Sequence, residues 1–182
     1  MITPPVKRFA GTGHRPDELG GYNSVTDDAL LRLAVQVLSR HMPTEVITGM
    51  AQGWDTALAL ACERLTIPFI AAVPFKTQDI KWPSEARQRY KRLLSIAKQV
   101  VFVDELYGMN PGYDPRKMHM RNEWMVIQLA GTDDRLLALY NGKTSGGTYA
   151  CVRFAKSRGK AIINVWPEWE QLTGPSTIRS VL

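Results

Sequence analysis

The sequence predicts a doubly wound α/β domain, in which a parallel sheet carries helices on both faces. Short β-rich apolar runs alternate with segments of helical periodicity along all 182 residues, and this alternation is typical of strand–helix–strand units. Several of the runs are continuously apolar, as expected of strands that are buried on both faces. No internal repeat, low-complexity tract or linker interrupts the pattern. We therefore expect a single domain over residues 1–182.

Six segments are predicted to be strands, because they are short, apolar and rich in β-branched or aromatic residues. The intervals between them are long enough for the crossover that a parallel strand pair needs. The predicted strands are Val6–Ala10, Glu45–Thr48, Ile67–Val73, Gln99–Val103, Arg135–Tyr140 and Lys160–Trp166.

Helices are predicted between the strands, where apolar residues recur at three- and four-residue spacing. The first begins at Ser24, whose side chain caps it, with Asp27 three residues later as the second member of a capping box. This helix continues through Leu38. The others cover about 58–65, 84–97, 115–129 and 147–157. The segment from Asp104 to Pro115 is the longest predicted loop, and long loops in compact domains are often functional.

The charge balance favours an anionic partner. Twenty-three Lys and Arg against 17 Asp and Glu give a formal net charge of +6, which does not distinguish a nucleotide from a nucleic acid. Much of the positive charge lies in two stretches without an acidic residue, 86–103 and 141–167. The alternative is that these stretches are solvated helix faces.

The cysteines and the apolar runs exclude several classes of protein. Cys62 and Cys151 are far apart and have no histidine or cysteine at ligand spacing, so we expect neither a disulfide framework nor a metal site. No apolar run approaches the roughly 18 residues of a membrane span, and residues 1–5 lack the apolar stretch of a secretory signal. We therefore expect a cytoplasmic protein with no membrane contact.

Glycine-bearing segments follow three of the predicted strands: Gly11-Thr12-Gly13-His14-Arg15, Gly49-Met50-Ala51-Gln52-Gly53-Trp54-Asp55 and Ser145-Gly146-Gly147-Thr148. The carboxyl ends of parallel strands meet at one edge of a sheet, where helix amino termini present free amides. Glycines there let a phosphate approach the backbone closely, and threonine hydroxyls add donors. The pattern predicts a phosphate or nucleotide site, and the alternative is that these glycines only make tight turns.

Polar side chains near these segments are candidates to bind the ligand. Arg15 offers a charged fork to a phosphate, or else forms an ion pair. His14 suits either a donor to phosphate or a structural bond to a carbonyl, and Asp55 falls in the first turn of a helix, where its alternative role is a cap. The expected ligand-binding residues are Gly11, Thr12, Gly13, His14, Arg15, Gly49, Gln52, Asp55, Gln78, Arg121, Asn122, Gly146, Gly147 and Thr148.

Two common cofactor signatures are absent from the sequence. Gly11-x-Gly13 lacks the third glycine of the dinucleotide fingerprint, and no Gly-Lys-Ser/Thr ends a Walker loop. We therefore expect no cofactor and no hydrolysis of nucleoside triphosphates.

In order and combination these segments resemble the SLOG superfamily, Rossmann-like proteins grouped around nucleotide-derived ligands, and most closely its YpsA-like branch. The resemblance covers nearly the whole chain and implies a Rossmann-like fold and a nucleotide pocket. Members of the superfamily often form dimers, so it also implies a homodimer. It is carried by Gly11–Pro16, Gly49–Asp55, Pro74-Phe75 with Gln78 and Trp82, Met120–Met125 and Ser145–Thr148.

One group of relatives implies an enzyme. The Lonely Guy phosphoribohydrolases remove the base from a nucleoside monophosphate, using an arginine in a Met-His-x-Arg-Lys-like helix and a glutamate three residues beyond a Gly-Gly-x-Gly-Thr turn. The segment Lys117–Arg121 resembles that helix, so Arg121 inherits the catalytic role. Cys151 stands three residues beyond Thr148 in place of the glutamate. Such an enzyme would need an acid from elsewhere, Asp55 or Asp104.

Another group implies nucleic-acid binding. The DNA-processing protein A family binds single-stranded DNA and loads a recombinase, and the chain resembles it in Gly49-x-Ala51-x-Gly53-x-Asp55, Arg121-Asn122 and Ser145-Gly146. The basic stretches fit this interpretation, but aromatic residues are not regularly interleaved with them as a stacking platform requires.

Our first interpretation is a domain that binds a nucleotide or nucleotide-derived ligand at the carboxyl ends of the strands, as a sensor, sequestering protein or effector. The alternatives are an N-glycosidic hydrolase of nucleoside monophosphates and a single-stranded DNA-binding accessory of recombination. The sequence leaves open whether the protein is an enzyme.

Overall fold

The structure is a computed structural model that describes residues 6–174. Its strands are β1 (Arg8–Gly13), β2 (Glu45–Thr48), β3 (Phe69–Val73), β4 (Gln99–Phe102), β5 (Arg135–Leu139) and β6 (Ile162–Asn164). Its helices are α1 (Ser24–His41), α2 (Trp54–Leu65), α3 (Ser84–Ile96), α4 (Val103–Leu106), α5 (Pro115–Ile127), α6 (Gly146–Ser157) and α7 (Trp166–Thr173), with a short 3-10 helix at Pro16–Glu18.

The strands form one open sheet in the order β4-β3-β2-β1-β5-β6, and every neighbouring pair is parallel. Side chains on one face of the sheet pack with α1, α2, α3 and α7. Those on the other face pack with α5 and α6. This arrangement confirms the predicted doubly wound parallel α/β class with helices on both faces.

Each face has its own apolar core because alternate strand residues point to opposite sides of the sheet. In β1, Phe9 packs on the side of α1 and α2, and Ala10 packs on the side of α5 and α6. Strands β2, β3 and most of β5 are buried along their length. The continuously apolar sequences of Phe69–Val73 and of 136–139 predict this burial.

The first strand differs from the prediction in a way that matters for the site. It runs from Arg8 to Gly13 rather than from Val6 to Ala10, so Gly11, Thr12 and Gly13 are strand residues that pair with β5 and not a turn. A Cβ at Gly11 would collide with Leu58, and one at Gly13 would lie 2.6 Å from the Trp54 ring. These glycines are therefore required for close packing of α2 on the strand.

Element ends differ elsewhere as well. The cap of α1 is Asn23, whose side chain accepts the Thr26 amide at 2.9 Å, rather than Ser24. Asparagine is as good a cap as serine, so the local sequence does not decide between them. Helix α4 occupies the start of the predicted long loop, and β6 ends at Asn164 because α7 begins at Trp166.

Some expectations concern residues outside the described range. The secretory-signal interpretation rests on residues 1–5, and the predicted domain limits include these and residues 175–182, none of which the structure describes. Between residues 6 and 174, no helix is both long and apolar enough to cross a membrane. The same residues contain no group of three or more His, Cys, Asp or Glu side chains arranged to hold a metal ion.

Candidate functional site

A cavity of about 340 Å³ lies at the carboxyl end of the sheet, where the strand order reverses. From β1 the chain builds β2, β3 and β4 on one side and then places β5 and β6 on the other. The reversal leaves a crevice beyond the ends of β1 and β5, which is where doubly wound folds bind ligands. We call it the switch-point cavity. It is lined by Thr12–Arg15, Asp17, Glu18, Ala51, Asp55, Pro115, Met118, His119, Arg121, Asn122 and Ser145–Thr148.

The amino terminus of α6 faces this cavity without a side-chain cap. Its N-cap residue Ser145 makes no capping hydrogen bond, and the first turn has no acidic residue. Gly146 has φ +90°, a conformation that favours glycine. A Cβ at Gly147 would come no closer than 4.0 Å to any neighbour. The first amides of a helix lack intrahelical acceptors, so this terminus is an exposed set of donors that suits an anion.

Arg121, on α5, is only 6% exposed at the base of the cavity. Its Nη1 donates to the Gly49 carbonyl and lies 3.4 Å from Asp55 Oδ2. Its Nε is buried and has no hydrogen-bond partner within residues 6–174. Because a guanidinium carries five N–H donors, most of the hydrogen-bonding capacity of Arg121 is unused by the described chain.

Asp55 is the buried counterion of Arg121. Its Oδ2 also accepts the Ala51 amide at 3.3 Å, so the side chain reaches back from α2 to the preceding loop. Burial raises the pKa of the Asp55 carboxyl, while Arg121 and the Ala51 amide act in the opposite direction. Asp55 therefore both orders the loop and places a carboxylate at the wall of the cavity.

The loop between β2 and α2 is held by side chains at three consecutive carbonyls. Arg121 donates to Gly49, Gln78 Nε2 to Met50 at 3.1 Å, and Thr56 Oγ1 to Ala51 at 2.8 Å. Met50 adopts φ +59°, which a non-glycine residue rarely does. These bonds offset the strain and keep the loop rigid beneath the cavity.

The residues that follow β1 form another wall. His14 is buried, its Nε2 accepts the Asn141 amide at 3.2 Å, and its Nδ1 lies 3.5 Å from Glu18. These contacts give His14 a structural role in addition to its place at the cavity. Arg15 is exposed at the rim, where its side chain forms no hydrogen bond or ion pair within the described chain.

The structure brings some of the predicted site residues together and separates others. Thr12, Gly13, His14, Arg15, Asp55, Arg121, Asn122, Gly146, Gly147 and Thr148 line the switch-point cavity, and Asn122 Nδ2 donates to the Gly147 carbonyl at 3.4 Å. Gly11 and Gly49 lie beneath the wall, against Leu58 and Arg121. Gln52 lines a second cavity, and Gln78 supports the loop from behind.

Asp104 lies outside the switch-point cavity, in an ion pair of its own. Its Oδ2 is 3.0 Å from Lys117 Nζ. Lys117 is 2% exposed and also donates to the carbonyls of Asn110 at 2.6 Å and Gly112 at 2.7 Å. The three donors of the ammonium group thereby connect the loop after β4 to α5.

Sequence reasoning missed Lys117 and several residues that line the cavity. Lys117 lies four positions before Arg121, so both are on one face of α5, and this spacing was the available signal. Asp17, Glu18 and His119 also line the cavity, and no pattern in the sequence distinguishes them from ordinary surface residues.

The basic stretch 86–103 is largely paired with acids from distant parts of the chain. Arg89 contacts Asp27 at 2.8 Å, Lys98 contacts Glu45 at 2.5 Å, and Arg92 forms an ion pair with Glu63. Much of its charge is therefore balanced on the side of the sheet that carries α1–α3.

Comparison with solved structures shows a Rossmann-like fold of the kind found in DNA processing protein A. The Streptococcus pneumoniae protein DprA superposes with a TM-score of 0.60 and 15% identity, over 86% of this chain and 49% of DprA. The protein TM1055 superposes with a TM-score of 0.52 and 13% identity, over 86% of this chain and 72% of that one. The chain thus spans about half the length of DprA, and at these identities the likeness shows the fold alone.

Sequence comparison places the chain among bacterial relatives, although no family model matches it. It is 22% identical over 165 residues to a UPF0398 protein of Bacillus cereus, covering 85% of each sequence. Assignment to the YpsA-like branch stays a prediction. The SPbeta prophage-derived protein YoqJ of Bacillus subtilis is 34% identical over 140 residues, which is 71% of this chain and 79% of YoqJ. At that identity and coverage, the chain belongs to the YoqJ family.

Proposed function

We propose that the protein binds a nucleotide or nucleotide-derived anion in the switch-point cavity. The observation that carries the proposal is the buried guanidinium of Arg121, whose Nε has no acceptor in the described chain. A buried donor without a partner costs about 1–3 kcal/mol. A phosphate oxygen that accepts from this guanidinium would remove that cost and gain a charge-assisted hydrogen bond.

Two neighbouring groups support an anion at the same place. The uncapped start of α6 presents amides and the positive end of the helix dipole. Arg15 at the rim has no ion-pair partner in the described chain, whereas the nearby Glu18 is 3.3 Å from Lys143. A phosphate between α6 and Arg121 would meet donors from both sides.

Binding without turnover accounts best for the groups present. Cys151 lies on α6, three residues after Thr148. Its thiol is buried, and burial raises the pKa of the thiol to about 11. It is therefore neither a nucleophile nor a base at neutral pH. Such a protein would act as a sensor, a sequestering protein or an effector.

Calorimetry with a panel of ligands tests the proposal. AMP, GMP, CMP, UMP and ribose 5-phosphate are titrated into the native protein and into Arg15→Ala. We expect roughly ten- to hundredfold weaker binding to the variant, since a charged hydrogen bond contributes roughly 1.5–3 kcal/mol. Arg32→Ala is the matched control, because Arg32 is an exposed arginine on α1 outside the cavity. Absence of binding by every ligand, or equal losses in the two variants, would refute the proposal.

A second candidate function is N-glycosidic hydrolysis of a nucleoside monophosphate, because Asp55 lines the cavity beside Arg121. The alternative acid, Asp104, is held by Lys117 and does not line the cavity. Burial raises the pKa of Asp55, which favours a proton donor. Incubation with the four monophosphates would release free base and ribose 5-phosphate, and Asp55→Asn would abolish the release. No release by the native protein would remove this candidate.

A further inference from the structure

A second and larger cavity, of about 500 Å³, lies at the carboxyl end of the sheet on the side of α1, α2 and α3. It opens between the amino ends of these helices, where Asn23, Gly53 and Pro83 are the N-cap residues. Its volume is within the range of small-molecule sites. We call it the aromatic cavity.

The walls of this cavity are flat and mostly apolar. Pro16, Tyr22, Trp82 and Pro83 contribute to them. Tyr22 is 56% exposed, so its ring is available to a ligand, and the Trp82 ring is held edge-on against Tyr90 with 5.2 Å between centroids. Flat rings with a fixed orientation suit stacking on a planar ligand.

The polar groups of the aromatic cavity do not favour an anion. Arg89 lines it but is paired with Asp27 at 2.8 Å. The carboxylate of Glu85 is exposed and has no ion pair within the described chain. The side-chain amide of Gln52 makes no hydrogen bond to the described residues, so it can pair with the edge of a ring. An amide can serve as donor and acceptor at once, as Asn and Gln do with adenine.

The aromatic cavity adjoins the switch-point cavity along a narrow ridge. Arg15 and Ala51 line the switch-point cavity. The residues that follow them in the chain, Pro16 and Gln52, line the aromatic cavity. Consecutive Cα atoms are about 3.8 Å apart, so the backbone segments that line the two cavities meet at these two places. A Cβ at Gly53 would lie 2.9 Å from Pro16 Cδ, which shows how closely the ridge packs on the start of α2.

Tyr22 also connects the two cavities. Burial and the neighbouring Asp17 carboxylate raise the pKa of its hydroxyl, and Asp17 lines the switch-point cavity. Tyr22 lines the aromatic cavity, so two neighbouring residues, Tyr22 and Asp17, line the two cavities.

We propose that the aromatic cavity holds the base of the nucleotide whose phosphate lies in the switch-point cavity, with the ribose crossing the Arg15–Pro16 ridge. This inference rests on the proposed function and adds the chemistry of the other end of the ligand. An uncharged heteroaromatic ring would stack against Tyr22 and Trp82, and its edge would meet Gln52.

The test separates the contribution of the base from that of the phosphate. Ribose 5-phosphate and the four nucleoside 5′-monophosphates are titrated by calorimetry into the native protein and into Tyr22→Ala. The best monophosphate should bind at least tenfold more tightly than ribose 5-phosphate. Tyr22→Ala should reduce its affinity roughly five- to tenfold, as expected for the loss of one base–aromatic contact, and leave the affinity of ribose 5-phosphate unchanged.

Two further variants support the interpretation. Tyr107→Ala is the matched control, since Tyr107 is 49% exposed and lines neither cavity, and we expect no change in either affinity. Ala86→Phe places a ring in the aromatic cavity from the exposed start of α3. It should reduce binding of the monophosphate to the level of ribose 5-phosphate, with an unchanged melting temperature as evidence of folding.

Each other outcome is decisive. If ribose 5-phosphate binds as tightly as every monophosphate, or if Tyr22→Ala behaves like Tyr107→Ala, the inference is wrong and the anion site stands. Equal losses of ribose 5-phosphate and monophosphate binding in Tyr22→Ala would also overturn it, because Tyr22 would then act on the anion. If neither class of ligand binds, the proposed function itself fails.

Discussion

Replacing Arg121 by methionine tests how much the buried ion pair at the base of the cavity contributes to the stability of the fold. Methionine has a similar length and no charge, so it fills much of the space of the arginine. The change removes the hydrogen bond to the Gly49 carbonyl and leaves Asp55 without the cation that lies 3.4 Å from its Oδ2. Asp55 itself is 6% exposed, so water does not replace that cation.

The expected cost follows from this burial. Breaking a buried ion pair by removing one partner destabilises a protein by about 3–5 kcal/mol. For a chain of this size, each kcal/mol lowers the melting temperature by roughly 2–4 °C, so Arg121→Met should lower it by about 6–20 °C. Asp55→Asn added to Arg121→Met removes the uncompensated charge, and the double variant should be more stable than Arg121→Met alone.

The loss of stability in Arg121→Met should also depend on pH, and it should be smaller at low pH. Burial raises the folded-state pKa of Asp55 above its unfolded value, and loss of Arg121 raises it further. A raised folded-state pKa of a carboxyl destabilises the fold above that pKa. The cost decreases as the pH falls through the folded-state pKa and is gone below the unfolded value of about 3.9. The difference in stability between native protein and Arg121→Met is therefore largest at pH 7 and decreases towards pH 4.

Urea denaturation of Arg121→Met, the double variant and the native protein, at pH 7 and at pH 4, measures these differences. The native protein is the reference at each pH, so that the titration of other groups cancels. A deficit of Arg121→Met that is the same at both pH values would refute the reasoning, because lost packing and not the Asp55 charge would then be its cause. A double variant that is less stable than Arg121→Met would refute it as well.

Three more predictions concern packing, the loop after β4 and the thiols. Gly13→Val should destabilise the fold by about 1–3 kcal/mol in urea denaturation, because even a Cβ at this position lies 2.6 Å from the Trp54 ring. Lys117→Met should cost about 3–5 kcal/mol in the same assay and expose the loop 104–114 to chymotrypsin, since the loop loses three hydrogen bonds to the ammonium group. Burial raises the pKa of Cys62 to about 12 and that of Cys151 to about 11. A thiol reagent at pH 8 should therefore react with them only after unfolding.

Each of these predictions has a control within the chain. Gly147→Val adds the same side chain where a Cβ comes no closer than 4.0 Å to its nearest neighbour, Asn122 Nδ2, so it should leave stability unchanged. An equal loss in both variants would contradict the packing argument. Lys91→Met removes an exposed lysine of α3. If it exposes the loop to chymotrypsin as Lys117→Met does, the hydrogen bonds of Lys117 are not the cause. Rapid labelling of the folded protein would show that the thiols are accessible.

Local patterns in the sequence were sufficient to predict the secondary structure and the fold class. All six predicted strands and all five predicted helices have counterparts within residues 6–174. They were found because alternation and helical spacing are properties of neighbouring residues. The errors lie at element ends, as with the cap at Asn23 and the extension of β1 to Gly13, where short-range preferences are nearly equal.

The role of each glycine and each buried charge, in contrast, depends on what lies opposite in space. Gly11, Gly13 and Gly147 look alike in the sequence. A Cβ at the first two would collide with Leu58 and Trp54, whereas a Cβ at the third would have no neighbour closer than 4.0 Å.

Likewise, Asp55 and Asp104 were equal candidates for an acid until the sheet placed one beside Arg121 in the cavity and the other against Lys117. The sequence by itself determined the order of the elements and the edge of the sheet where polar residues gather. Only tertiary packing decided which of those residues have free donors, because a hydrogen bond or a close contact between distant segments leaves no local pattern.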